Sequence, residues 1–397
     1  MAVVDLEQQS ALYFDYQATT PVDAGVLNAM LPYFSDHFGN AGSRHVHGRT
    51  AAAAVETARH QVGALIGAAL PGEIAFTSGA TESNALVLRT LFSGPMPAHL
   101  IISAIEHPSI LNLAAELERS GHDVTRLPVD STGLVDPSAV AAAITTRTRL
   151  VSVMHANNEI GTVQPIGEIG RICRVRGVLL HSDMTQSAGS LPVDVEALCV
   201  DLASLSAHKF YGPKGVGALY VRQSSSLRNG PGSGESGLRP GTVNVPGIVG
   251  LGTAAELARA RRSTDAVQVA ALRDRFVSEV RTALPDSIVN GHPSLRLPGN
   301  LSITFPGVEV DEILRADPEL GLAMGSACTS GRSEPSHVLI AIGLSRTQSR
   351  STMRIGFGRE TSWDDCRRCL DRLIPLVERG QRKAVGQHRF GPLRGTE

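Results

Sequence analysis

Lys209 stands where an apolar run breaks into a Gly/Pro-rich turn, in DLASLSAHKFYGPKGVGALYV. At the end of a strand, among small and apolar neighbours, a lysine amine is partly neutral and can form a Schiff base with an aldehyde. The ordinary alternative is an exposed cation, and the residue alone does not choose. Upstream, VLLHSDMTQSAG ends an apolar run in Asp183, with Gln186 three residues later. A buried carboxylate needs a cation or hydrogen bonds; a pyridinium nitrogen is one such cation, and a helix-capping role is the alternative.

Three further segments extend the set. FTSGATESNALVLR reads as a strand, a small-residue turn and a helix start, whose N–H groups at Gly79, Ala80 and Thr81 suit a phosphate. His107, closing HLIISAIEH, is placed to lie flat on a heteroaromatic ring or to cap the next helix. Asn157 and Asn158, after LVSVMHA, are placed to bond a ring hydroxyl or a substrate carboxylate, or to make a turn. Each signal is modest. Together they fall at C-terminal ends of apolar runs and supply every contact that pyridoxal 5'-phosphate requires.

Cys328 sits in GLAMGSACTSGRSEPSH, a setting of small and polar residues that suits an accessible thiolate better than a structural thiol. Cys366 and Cys369 form a CxxC. No second Cys or His pair lies at zinc-site spacing, and DDCRRCLDRLIPLVER reads as an amphipathic helix, so no metal is expected. Cys173 and Cys199 read as passive.

The elements that must position these groups follow from the patterning. From about residue 50 to 260, short apolar runs (EIAFTS, HLIISAI, LVSVMHA, VLLHSD, LASLSAH, GALYVR) alternate with helical stretches. That pattern predicts an α/β fold with a mostly parallel mixed sheet and ligands at the carboxyl ends of its strands. Residues 223–244 predict a long Gly/Ser-rich loop. IVGLGTAAELARARR and VAALRDRFVSEVRTAL then predict two helices, with a domain boundary near 260. SIVNG, NLSITFPG and MRIGFGR predict strands of a smaller C-terminal α/β domain. The expected division is a large cofactor domain over 15–260, a small domain from 1–14 and 261–380, and a disordered tail over 381–397.

The 397 residues suffice for cores without covalent staples, and a formal net charge of -1 offers no global attraction to nucleic acid or anionic membranes. Five dispersed cysteines indicate a reducing compartment. MAVVDLEQQSALYF has no targeting character, and no apolar run reaches membrane-spanning length. The expectation is a cytoplasmic protein acting on small molecules, with no membrane and no direct nucleic-acid contact.

The chain resembles the NifS/IscS-like cysteine desulfurases, class V members of the aspartate-aminotransferase fold type of pyridoxal-phosphate enzymes. The resemblance rests on YFDYQATTPVD, FGNAGSRHVHG, TSGATESNA, HANNEIGTVQPI, HSDMTQSAG, SAHKFYGPKGVG, RPGTVNVP, GSACTSGRSEPSHVL and MRIGFGR, in order over roughly residues 12–360. It implies that Lys209 carries the cofactor, Asp183 faces its pyridine nitrogen, Gln186 and Asn158 approach its hydroxyl, and His107 stacks on the ring as an acid/base. Ala80, Thr81, Ser206 and His208 would bind the phosphate, with Thr242 reaching across a homodimer. Arg354, whose planar fork suits bidentate binding, would clamp the carboxylate of L-cysteine, aided by Asn40 and Asn158. Cys328 would accept the sulfur as a persulfide, releasing L-alanine, and pass it to an acceptor protein.

The acceptor pathway stays open among iron–sulfur assembly, tRNA thiolation, cofactor sulfuration and DNA phosphorothioation. VERGQRKAVGQHRFGPLRGTE does not show the scaffold-binding segment of the housekeeping iron–sulfur members. Selenocysteine lyase, an aminotransferase and a non-catalytic sulfur-relay scaffold are the rival readings.

Overall fold

The structure, a computed structural model, describes residues 11–94, 96–225, 227, 237–325 and 334–389. Cys328 and the middle of the 223–244 loop lie outside the described residues.

The chain opens with two short helices, α1 (Ala24–Met30) and α2 (Pro32–Ser35), and the long α3 (Val46–Ile66). Strands and helices then alternate: β1 (Ile74–Thr77), α4 (Ala80–Leu91), β2 (His99–Ser103), α5 (Pro108–Arg119), β3 (Asp123–Leu127), α6 (Pro137–Ala143), β4 (Thr148–Ser152), α7 (Ile166–Arg176), β5 (Leu179–Asp183), β6 (Leu202–Ser206) and β7 (Gly217–Val221). These seven strands form one sheet in the order β1-β7-β6-β5-β4-β2-β3. β7 runs antiparallel to both neighbours and the other pairings are parallel. The expected mostly parallel sheet is therefore present.

Both faces of this sheet are covered, which explains why its strands read as unbroken apolar runs. Side chains alternate between faces. Phe76, Ile101, Val151, Leu180 and Leu205 pack into one cluster with α3, α7 and the following helix α8, while Leu100, Ile102, Leu150, Leu202 and Leu219 pack into another with α4 and α5.

Helix α8 (Val245–Ala283) is continuous over 39 residues. The two helices expected on either side of residue 260 are therefore one. Its first part packs in the large-sheet core (Ile248, Leu251, Ala255), and its second part (Val269, Phe276, Val280) in a separate core. That core covers a smaller sheet of β8 (Ile288–Asn290), β9 (Asn300–Thr304), β10 (Ala323–Met324) and β11 (Thr352–Gly356), in the order β10-β11-β9-β8 and antiparallel throughout. α9 (Val310–Ala316), α10 (His337–Ala341), α11 (Arg346–Arg350) and α12 (Trp363–Arg389) complete the chain.

Leu12 and Phe14 join this second core, so residues 12–14 are stitched to the small sheet. Helix α12 continues to Arg389, into the stretch expected to be a disordered tail; there Arg382 pairs with Glu378 and Lys383 with Glu312. Cys366 and Cys369 are fully buried in the same core, and burial pushes the Cys366 thiol up to about 12. Among the described residues, no group of His, Cys, Asp and Glu has metal-site geometry, and no helix is long and apolar enough to cross a membrane.

Candidate active site

Beyond the carboxyl ends of the parallel strands lies a cavity of about 580 Å³ between the two sheets. Ten of the site residues expected from the sequence line it: Ala80, Thr81, His107, Asn158, Asp183, Gln186, Ser206, His208, Lys209 and Arg354. Thr242 and Asn40 do not; both are exposed. The Asn40 Oδ1 accepts from the Gly42 N–H at 2.9 Å, an Asx turn on the surface. Thr242 follows Arg239, whose Nε donates to Glu82 Oε1 at 3.1 Å, so this end of the loop is anchored to α4.

One wall is the β1–α4 turn. Gly79, at φ 152°, ends the strand and opens the helix with no side-chain cap, leaving the first N–H groups of α4 directed at the cavity rim. The chain approaches closely here: a Cβ on Gly217 would lie 2.6 Å from the Gly79 Cα. Ser206 and His208 enter from the end of β6.

Asp183, at the end of β5, is buried, 6% exposed. Its Oδ1 accepts from the Thr185 N–H at 3.0 Å and its Oδ2 from Asn84 Nδ2 at 3.0 Å. Among the described residues it forms no ion pair, and these two hydrogen bonds are the only ones its carboxylate makes. Such a carboxylate facing a cavity fits a cationic ring nitrogen. The exposed α4 N–H groups fit a phosphate, and Lys209 fits an aldehyde carbon. The residues present therefore fit pyridoxal 5'-phosphate.

His107 caps α5, its Nδ1 accepting from the Ser109 N–H at 3.2 Å. That bond places the proton of the neutral ring on Nε2. Burial first, then the charges of Lys209 and His337, hold its pKa below the usual value. His208 is pushed down to about 4 by burial and the same lysine.

Lys209 Nζ donates to the carbonyls of Gln17 at 2.5 Å and Ala18 at 2.7 Å. Gln186 Nε2 donates to the same Gln17 carbonyl at 3.0 Å, and His208 Nδ1 lies 3.1 Å from Thr19 Oγ1. Residues 17–19 thus form a floor to the site. The sequence reading quoted this segment without assigning it a role, because the contacts come from backbone carbonyls that no residue type announces. It also missed Asn84, Glu106, Glu159 and His337. Glu106 is fully buried: its Oε1 accepts from Ser103 Oγ at 2.5 Å and the Met154 N–H at 2.8 Å, and burial raises its pKa to about 8. Glu159 lines the cavity, accepts from Ser336 Oγ at 2.5 Å, and has its pKa raised by burial.

Arg354, on β11, reaches the cavity from the small sheet. Its guanidinium meets Asp15 at 2.6 Å, while Nη1 faces the Asn158 carbonyl at 3.4 Å.

Comparison with known proteins agrees with this geometry. The family model described as aminotransferase class-V matches residues 12–368. A cysteine desulfurase IscS of Anaeromyxobacter sp. (strain Fw109-5) is 48% identical, over 94% of this chain and 93% of its own. A solved NifS-like protein superposes with a TM-score of 0.86 at 34% identity, over 93% of this chain and 99% of its own. The structure titled SspA in complex with cysteine gives 0.76 at 38% identity, over 88% and 100%. By its family model, its relatives and its fold, the chain belongs to the class-V aminotransferases and, within them, to the pyridoxal-phosphate-dependent cysteine desulfurases of the NifS/IscS-like group.

Proposed function

We propose that the chain moves sulfur from free L-cysteine to Cys328 and on to a thiol of an acceptor protein. The observation that carries this reading is the convergence of Lys209, an Asp183 without a cation, and Arg354 on one cavity. Lys209 would hold the cofactor through its amine, Asp183 would pair with its ring nitrogen, His107 would support the ring, and Gln186 and Asn158 would serve its hydroxyl. The N–H groups of Ala80 and Thr81 would take the phosphate with Ser206 and His208. When bound, the cofactor withdraws electrons from the substrate's α-carbon.

Arg354 takes the substrate carboxylate. Lys209, once released, removes the α-proton, and the Gln17 and Ala18 carbonyls keep its Nζ beside the cavity. His107, held neutral, serves as acid/base at the substrate. The Cys328 thiolate attacks the substrate sulfur, the carbon–sulfur bond breaks, and its electron pair stays with the carbon skeleton. That skeleton takes up a proton where the sulfur left, regains the α-proton from Lys209 and leaves as L-alanine, while Cys328 keeps the sulfur as a persulfide. An acceptor thiolate then attacks the outer sulfur and restores Cys328.

The working form is a homodimer in which Thr242 reaches the phosphate of the other copy. Exposed Leu27 on α1, Leu31 between the helices, Phe34 on α2 and Phe38 just after it support a second copy covering this patch. Asn40 lies just beyond it. A cytoplasmic location and a division of the domains near residue 260, inside α8, complete the reading.

Replacing Cys328 by Ser tests the reaction. L-Alanine and persulfide formation fall to background with the visible cofactor band intact; normal turnover in that variant rules out Cys328 as the acceptor.

A further inference from the structure

We infer that Asp15 is a positioning residue that sets Arg354 for the carboxylate of the substrate. The inference rests on the reading of Arg354 given above and adds what holds that arginine in place.

The Arg354 side chain is 2% exposed. A guanidinium so deeply buried needs an anion and a full set of acceptors, or its charge is costly. Its best contact is Nη2 to Asp15 Oδ1 at 2.6 Å. The Nη1 contacts, to the carbonyls of Asn158 and Gly325, are long at 3.4 and 3.5 Å, and Nε has no partner among the described residues. Arg354 lines the cavity and Asp15 does not. The carboxylate therefore grips one end of the fork from outside the site and leaves Nη1 with only long contacts beside it. A bound substrate carboxylate supplies what is missing.

The backbone fixes Asp15 for this task. Residues 12–15 run beside the small sheet: Leu12 N–H donates to the Glu319 carbonyl at 2.8 Å, Phe14 N–H to that of Gly321 at 3.0 Å, and Gly356 N–H to that of Phe14 at 2.6 Å. Asp15 pairs in parallel with Gly356, two residues beyond Arg354 on β11. The contact is thus between neighbouring strands rather than between two flexible surface chains. Two residues later, the same segment presents the Gln17 and Ala18 carbonyls to Lys209. One stretch of backbone therefore sets the spacing between the substrate's carboxylate anchor and the cofactor lysine.

The test is Asp15→Asn, which keeps the shape and removes the charge. An arginine freed from its anchor binds substrate poorly without changing the reacting groups. The expected result is a rise of about 10- to 100-fold in KM for L-cysteine, with kcat and the cofactor band retained. Inhibition by L-alanine weakens in parallel, and inhibition by cysteamine, which has no carboxylate, does not. Arg354→Gln raises KM at least as far, and the double variant is no worse than Arg354→Gln alone.

If Arg354→Gln raises KM and Asp15→Asn leaves it unchanged, this inference is overturned while the role of Arg354 stands. If Arg354→Gln leaves KM unchanged, the reading of Arg354 itself fails. Should Asp15→Asn not fold, Asp15→Glu keeps the charge and displaces it by one methylene; a smaller rise in KM supports the inference, and an unaltered KM overturns it.

Discussion

Asn84 and Asp183 are joined at 3.0 Å, Nδ2 to Oδ2, across 99 residues of sequence. The bond ties α4, the proposed seat of the phosphate, to the carboxylate proposed for the ring nitrogen. In that reading, the two ends of one cofactor are held at a fixed separation. Asn84 also donates to Ser109 Oγ at 2.9 Å, which in turn lies 2.8 Å from His107 Nδ1. A single amide therefore touches the supports of three cofactor contacts.

Replacing Asn84 by Ala removes one of the two hydrogen bonds to the Asp183 carboxylate. A bond to a charged group contributes about 1.5 to 3 kcal/mol, so cofactor affinity is expected to fall by roughly tenfold or more. Titration of the cofactor-free protein, followed by the visible absorbance band, measures this. An unchanged affinity shows that Thr185 and solvent suffice.

Glu106 gives the protein a pH dependence in the alkaline direction. Burial raises its pKa from 4.5 to about 8, so between those values the folded chain binds a proton that the unfolded chain has lost. The contribution is complete below pH 4.5 and is lost as pH rises through about 8. His155 and His181, pushed down to about 4 by burial, act in the other window: their contribution is complete above pH 6.5 and is lost as pH falls toward 4. Urea midpoints between pH 6.5 and 8 isolate the glutamate. The wild type loses stability over that range, and Glu106→Gln flattens the loss; equal slopes in the two proteins disprove the assignment.

Gly217 opens β7 where the chain passes the phosphate turn. A Cβ there would stand 2.6 Å from the Gly79 Cα, and backbone cannot retreat as a side-chain tip does. Gly217→Ala is expected to cost about 1 to 3 kcal/mol of stability and to speed cofactor loss by displacing Gly79. Thermal melting with and without added cofactor separates the two effects. A variant as stable and as well loaded as the wild type shows that the turn can move.

The site was legible where chemistry coincides with a break in local pattern. Asp183, Ser206 and His107 each follow an apolar run whose side chains divide between two buried faces, so a polar residue at its end stands out. Asp15, Asn84 and Glu159 escaped because their partners lie 99 to 339 residues away, and nothing nearby marks them.

The fold shows the same division. β3 (DVTRL) was overlooked because it is a half-exposed edge strand without an apolar run. α8 read as two helices because its middle, around Arg259 to Asp265, runs outside both cores and loses the apolar stripe that signals a helix.

That helix has a mechanical consequence. At 1.5 Å per residue its 39 residues make a rod of about 58 Å, embedded at one end beneath the large sheet and at the other beneath the small one. A girder common to both halves leaves no slack at which they can swing apart. Cysteine must therefore enter and alanine leave past a frame of fixed span, with access governed by side chains and surface segments at its mouth.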